Sequence, residues 1–262
     1  MSTLSGVYTT KTKNGLPYFR SSITYNNKHI SLGSFNSSLK AHYAYLQARA
    51  ILFDNKFTFK DYDSNKILSF NKWIILHNFR DNGYYIKTPI YLHKYYFSYF
   101  LSPKKELKFD AEELFYYSHH KIFQRDGYLF VNDYGMQINI LSRYGIKNHA
   151  VKGKDYFFKD GDSYNFRLHN LEVINPYYGV SKIHKNNKIL YEAKIHINGN
   201  YIIGRYPTEE EAAIAYNRIC DYLRDEKNIT KNYYKNYILN FDKLQYYNIY
   251  NNIKIPKNIT ML

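Results

Sequence analysis

The sequence predicts an α+β protein: two small modules, each a three-stranded antiparallel sheet with one helix, on either side of a mixed central region. Three observations carry that expectation. Runs alternating apolar and polar in period two, broken by turn residues, occur near both ends of the chain. Each run leads into alanines at helical spacing. The two ends also repeat one another in residue type over roughly forty positions, the mark of an internal duplication.

The clearer module occupies 178–241. Gly179-Val180 open it, and Tyr191, Ala193, Ile195 and Ile197 then alternate with Glu192, Lys194 and His196. Asn198-Gly199-Asn200 mark a turn, and Tyr201 to Tyr206 form a return strand. Thr208 with Glu209, Glu210 and Glu211 spells a capping box: Thr208 accepts from the N–H three residues on, and Glu211 reaches back. Behind it, Ala212, Ala213, Ala215, Tyr216 and Ile219 share a helix face.

The first module, 1–57, repeats this pattern. Gly6-Val7 stand for Gly179-Val180, and Phe19, Ser21, Ile23 and Tyr25 for Tyr191, Ala193, Ile195 and Ile197. Gly33 and Phe35 match Gly204 and Tyr206; Ala41, Ala44 and Tyr45 match Ala212, Ala215 and Tyr216.

Strand alternation assigns faces. With Ala193, Ile195 and Ile197 turned to the helix, Lys194 and His196 point outward, and Arg205 on the return strand extends that surface. Lys182 and Lys185, before the first turn, are expected to join it. In the first module the outward set is Arg20, Ser22 and Thr24, flanked by Lys11, Lys13 and Lys28. An outward lysine is usually only a solvated one. Here the charge balance tips the reading toward nucleic-acid contact.

That balance is +15, from 37 Lys and Arg against 22 Asp and Glu in 262 residues, and it favours a polyanionic partner. No run approaches the ~18 apolar residues that span a bilayer; the best, 90–101, is broken by His93 and Lys94. The expected partner is therefore nucleic acid, either double-stranded DNA or structured RNA such as ribosomal RNA, within a larger ribonucleoprotein in the latter case, and not a membrane. The 32 Tyr and 17 Phe can stack on bases. Yet Tyr, Phe, Asn, Lys and Ile all have AT-rich codons, so base composition accounts for most of the bias and points to an organellar (mitochondrial), viral or otherwise AT-rich genome. The single cysteine, Cys220, excludes an intrachain disulfide and a thiolate zinc site, and reads as a small core residue. Module sequence starts by Gly6, so no signal or transit peptide is expected. No cofactor is expected.

Both modules resemble the ethylene-response-factor (APETALA-type) DNA-binding domain. Its hallmarks are Gly-Val, aromatic-x-Ala-x-Ile, Leu-Gly-x-Phe and Glu-Glu-Ala-Ala-x-Ala-Tyr. The second module keeps nearly all of these, with Ile203-Gly204-Arg205-Tyr206 for Leu-Gly-x-Phe. The first has Leu32-Gly33-Ser34-Phe35, but Ser21 replaces the small inward Ala and Ser37-Ser38-Leu39-Lys40 replaces the acidic helix start. The resemblance implies that the sheet, not the helix, lies against the DNA major groove.

The region 107–177 reads as a helix around Asp110 to Tyr117, strands through 127–131 and 137–141, then Asp155 to Asp162 and Arg167 to Ile174. It resembles the HNH core of mobile-element homing endonucleases, a ββα-type fold. Gly161-Asp162 and Arg167 with Asn170-Leu171 set the register, which puts the family's Asp-His on Phe157-Phe158 and its His-Arg on Ser142-Arg143. Metal binding and water activation need imidazole and carboxylate, and phenylalanine supplies neither. Asp160, Gly161, Asp162, Arg167 and Asn170 remain as framework. The expectation is a nuclease fold without catalytic or metal-binding residues, hence not an enzyme. A displaced site built on His149 and Asp155, with His119, His120 and His169 nearby, is the rival; surface histidines and a turn-forming Asp162 are the plainer reading.

Across 58–106, Trp73, Gly83-Tyr84 and Ile90 to Lys94 echo half of the same motif, with His93 either its stranded histidine or an ordinary surface one. In the tail, 236–241 is expected to pack back on the second module and 242–262 to form an extended arm carrying Lys254 and Lys257. Together these features predict a non-catalytic nucleic-acid-binding protein derived from a homing endonuclease. The alternatives are an RNA-binding structural protein of an organellar ribosome and an active HNH endonuclease with a displaced site.

Overall fold

Paired asparagines turn both sheets. In the computed structural model, which describes residues 4–11, 14–229 and 231–262, Asn26 and Asn27 have φ of 45° and 60°, and Asn186 and Asn187 have 50° and 58°. Left-handed φ at both central positions makes a tight two-residue hairpin whose twist suits the flanking strands. The chain divides into two units, 1–138 with 162–170, and 139–161 with 171–262.

The first unit begins with the antiparallel meander β1 (Val7–Lys11), β2 (Pro17–Tyr25) and β3 (Lys28–Phe35). A bulge at Ser21/Ser22 places both Leu32 and Gly33 on the inner side. Helix α1 (Ser38–Leu52) crosses that side, and the buried Ala41, Ala44 and Ala48 let it approach closely. Gly6, at φ 73°, sits under the ring of Tyr45, where a Cβ would overlap it. The expected boundary at 57 is not a boundary of the core. Phe57, Phe59 and Tyr62 pack into the cluster that holds Ile30, Ile51 and Leu68 with Trp73, Ile74 and Leu76 of α2 (Phe70–Asn82). Trp73 is fully buried and its Nε1 donates to the Phe59 carbonyl at 3.2 Å.

The first unit continues with a second meander, β4 (Ile90–Leu92), β5 (Tyr96–Ser102) and β6 (Lys105–Asp110), then α3 (Leu114–His119), preceded by a 3-10 turn at Ala111–Glu113. A third sheet follows: β7 (Ile122–Arg125), β8 (Tyr128–Asp133) and β9 (Met136–Asn139). The strand expected to reach Leu141 stops at Asn139, whose side chain accepts from Leu141 N–H at 2.9 Å and starts a 3-10 helix over Ile140–Tyr144.

In the second unit, β10 (Tyr156–Phe158) pairs with β11 (Leu171–Val173). The C-terminal module then forms β12 (Val180–Lys185), β13 (Lys188–His196) and β14 (Asn200–Tyr206) under α4 (Glu209–Asp225). It reproduces the first module in detail. A bulge lies at Ala193/Lys194, and Gly179 at φ 69° sits under the Tyr216 ring. Thr208 accepts from Glu211 N–H at 3.2 Å, but only this half of the expected capping box forms. Cys220 is buried, and burial pushes its thiol up to about 12.

The extended arm expected over 242–262 is instead helical: α5 (Lys243–Asn252) and α6 (Lys257–Thr260). Asp242 and Gln245 close a reciprocal capping box at the start of α5. Tyr250 donates to Asp221 of α4 at 2.9 Å, and Ile253, Ile255 and Ile259 pack into the α4 core. Side chains that looked polar and repetitive in sequence thus find a surface to cover. At class level the protein is α+β, made of several small three-stranded antiparallel sheets and a few helices, as expected.

Candidate nucleic-acid interface

Residues directly opposite one another in an antiparallel ladder share a face. In the second module Val180 pairs with Ala193 and Lys182 with Tyr191, on the helix side; Ser181 pairs with Glu192, Ile183 with Leu190 and Lys185 with Lys188, on the outer side. Lys185, Lys194, His196 and Arg205 therefore stand on the outer face, as expected from the sequence. Lys182 does not. It shares the helix side with Val180, and its charge acts on Glu209 at the start of α4.

Two outer residues were missed, Lys188 and Glu192. Lys188 is legible in hindsight, because an Asn-Asn hairpin turn puts its two flanking residues opposite each other. Glu192 is buried, and it organises the face. Its Oε1 lies 2.7 Å from Lys194 Nζ, and its Oε2 takes both Arg205 Nε at 2.9 Å and Nη2 at 2.7 Å. Burial works against the ionised carboxylate, but the hydrogen bonds and charges of Lys194 and then Arg205 outweigh it and hold its pKa below the ordinary value. The guanidinium is thus fixed along one side, with its remaining donors free to turn outward. His196 shares a contact of 3.0 Å between its Nδ1 and Asn200 Oδ1.

The first sheet presents a different outer face. Arg20 is outward, opposite Tyr8; its Nη2 donates to the Tyr18 hydroxyl at 2.9 Å and its guanidinium lies 5.5 Å from that ring's centre. His29 pairs with Thr24 on the same side, and Ser22 faces the same way but is buried. Lys11 and Lys28 do not join them. Lys11 keeps the parity of Val7, which pairs with Ser21, and Lys28 pairs with Tyr25, so both belong to the helix side. Lys28 Nζ stands 5.5 Å over the Tyr85 ring, a cation–π contact within the same unit. Lys13 lies outside the described residues. Nearness to a turn had suggested these lysines; ladder parity decides against them.

The HNH-like segment is divided between the units. Ser142 and Arg143 lie in the 3-10 helix of the second unit, where Ser142 Oγ donates to the Asn139 carbonyl at 2.6 Å, so this pair does not end a strand. Phe157 and Phe158 occupy β10, the first half exposed and the second buried, opposite Glu172 and Leu171. Asp160 is exposed and Gly161 turns the chain at φ 78°. No helix follows β11; the chain passes from Val173 directly toward Val180, so β10 and β11 pair without a helix of the ββα kind behind them.

Asp162, Arg167 and Asn170 belong to the first unit, and the strand beside them is β6. Lys108 N–H donates to the Tyr164 carbonyl at 2.9 Å, Phe166 N–H to the Lys108 carbonyl at 2.8 Å, and Leu168 N–H to Asp110 at 2.6 Å. Asp162 accepts from Tyr164 N–H at 3.0 Å and pairs with Lys108 at 3.3 Å, a turn residue as the sequence suggested. Arg167 Nε donates to Asn165 Oδ1 at 2.9 Å, and the buried Asn170 donates to the Asn165 carbonyl at 2.9 Å.

Asp155 is buried and uses both oxygens, one on Val151 N–H at 2.7 Å and one on Asn175 Nδ2 at 2.9 Å. His149 sits in a left-handed turn at φ 67°. In the other unit His93 stacks on Tyr96 and contacts Ser98 Oγ at 2.9 Å through Nε2. Among the described residues no group of three or more His, Cys, Asp or Glu side chains is placed to hold a metal ion, and no helix is long and apolar enough to cross a membrane. Comparison with protein-family models, with curated proteins and with solved structures finds no match to this chain.

Proposed function

We propose that the protein is a non-catalytic nucleic-acid-binding protein that descends from an HNH homing endonuclease and grips its target through outer sheet faces. One observation carries the reading. Four cations of the second module, Lys185, Lys188, Lys194 and Arg205, share the side of the sheet away from α4, on a chain whose net charge is +15. A strand pair with Lys185 directly opposite Lys188 carries a like-charge penalty that a phosphate relieves. The outer face of the first sheet offers Arg20 and His29 with Tyr8 and Tyr18, a mix suited to stacking as well as to phosphate. Double-stranded DNA and folded RNA both fit such surfaces.

The test is a salt series of binding isotherms with labelled duplex DNA and with a structured RNA. Log affinity should fall linearly with log salt concentration. The double variant Lys194→Glu, Arg205→Glu should bind at least ~10-fold more weakly at low salt and lower the slope by about 2. Lys182→Glu, on the helix side, should leave the slope within about half a unit of the parent. Equal loss in both variants would remove the outer face from the interface.

A further inference from the structure

The two modules differ at one sheet edge. In each, the entering strand stops pairing at its glycine: Ser22 N–H donates to the Gly6 carbonyl at 3.1 Å, and Lys194 N–H to the Gly179 carbonyl at 2.7 Å. Past this point, among the described residues, the middle strand has no neighbour strand on that side, through Thr24 in β2 and His196 in β13. The Tyr25–Lys28 pair flanks a two-residue turn and is therefore a hydrogen-bonded pair; alternation then directs the Thr24 N–H and C=O away from β3, to the open edge. Such an edge is a template for another extended chain.

In the second module the chain covers this edge itself. Lys231 Nζ at 2.8 Å and Tyr233 OH at 3.1 Å both donate to the His196 carbonyl. Lys235 pairs with Asp221 of α4. Asn236 accepts from Tyr178 N–H at 2.6 Å, donates to the Tyr178 carbonyl at 3.0 Å, and exchanges two bonds with Asn217. The segment 231–236 is a strap lying between β13 and the Cys220–Arg224 side of α4.

The first module has the same groove without a strap among the described residues. It is about 450 Å³, walled by Tyr8 of β1, by Ile23 and Thr24 of β2, by Tyr45 and Arg49 of α1 and by Phe53 just past the helix end. The last three stand where α4 has Tyr216, Cys220 and Arg224. After α1 the chain goes elsewhere: Phe57 packs on Trp73 and Phe59 on Tyr91. The charges are also rearranged, with Phe53 in place of Arg224. Ala50 replaces Asp221, the partner of the strap lysine, and Arg49 replaces Cys220, with His29 at the mouth.

We infer that the groove of the first module is a docking site for an extended acidic segment of a partner protein. The segment lies along the β2 edge where 231–236 covers β13 in the second module, with its main chain on Thr24 in place of the strap's Lys231 and Tyr233 side chains on His196, and a carboxylate on the Arg49 guanidinium. This rests on the open edge and α1, not on the outward cations of the second module.

The test uses the full chain and fluorescence polarisation with two labelled peptides, the sequence 231–238 and an acidic form of it carrying Lys231→Glu and Lys235→Glu. The acidic peptide should bind saturably, and its lysine parent at least tenfold more weakly. Arg49 is exposed, so Arg49→Glu should keep the parent melting temperature; it should reverse the order of the two peptides. Thr24→Pro, which removes the edge N–H, should weaken the acidic peptide at least fivefold. The proposal is overturned by absence of saturable binding, by equal affinity for both peptides, or by acidic-peptide binding that survives Arg49→Glu, which would place the peptide in the second module in exchange for the strap.

Discussion

Glu192 shows how one side chain sets the electrostatics of a face. It turns two of the strongest cations on the outer sheet into a bridged cluster, and it costs little because each oxygen has a charged donor. Its pKa is depressed, so its contribution to stability is present above the unfolded carboxylate value and is lost as pH falls through the lower folded value. Lys194 and Arg205 are both well exposed, which limits the contribution to about 1 kcal/mol. Glu192→Gln should therefore melt below the parent protein at pH 7, and the gap should close in melts near pH 3; a gap independent of pH would mean the loss is steric. Outward Lys194 was legible from period-two alternation. The burial of Glu192 was not, because alternation puts it on the outer face and only its partners, Lys194 two residues on and Arg205 across the ladder, cover it.

At the scale of elements, the duplicated module is the best test of what local sequence specifies. The Gly-Val start, the bulge and the glycine under a tyrosine ring recur in both copies. The helix starts diverge. Thr208 caps α4, whereas Ser37 makes no side-chain bond at the start of α1. Thr208→Ala should cost on the order of 1 kcal/mol and Ser37→Ala no more than a few tenths, read from denaturant midpoints. Comparable losses would show that the Ser37 hydroxyl caps α1 in solution. The lysines near the turns teach a related lesson. Lys11, Lys28 and Lys182 were expected on the outer face, but exact pairing, not proximity, decides the side of a ladder.

At the scale of the molecule, the proposed loss of nuclease chemistry makes a direct prediction. Purified protein incubated with supercoiled plasmid and Mg²⁺ or Mn²⁺ should leave it intact; metal-dependent nicking abolished by His149→Ala would restore the enzyme reading. The segment that resembles the HNH core forms the β10–β11 hairpin, while its 162–170 loop is bound to β6. The pairing of distant segments is a matter of which surfaces remain to be covered, and counting residues from one motif to the next cannot supply it. The same holds for the tail, whose isoleucines complete the α4 core.

The sequence by itself determined the α+β class, the duplicated sheet-and-helix modules, the charge and the buried cysteine. These follow from periodicity, turn residues and composition, all of which act over a few neighbouring residues. Only the tertiary structure decided which cations share a face, that the first module's core continues through Trp73, that the tail is helical, and that one sheet edge is strapped while its twin has no strap among the described residues. Each depends on contacts between residues far apart in the chain, where burial and hydrogen-bond satisfaction outweigh local preference.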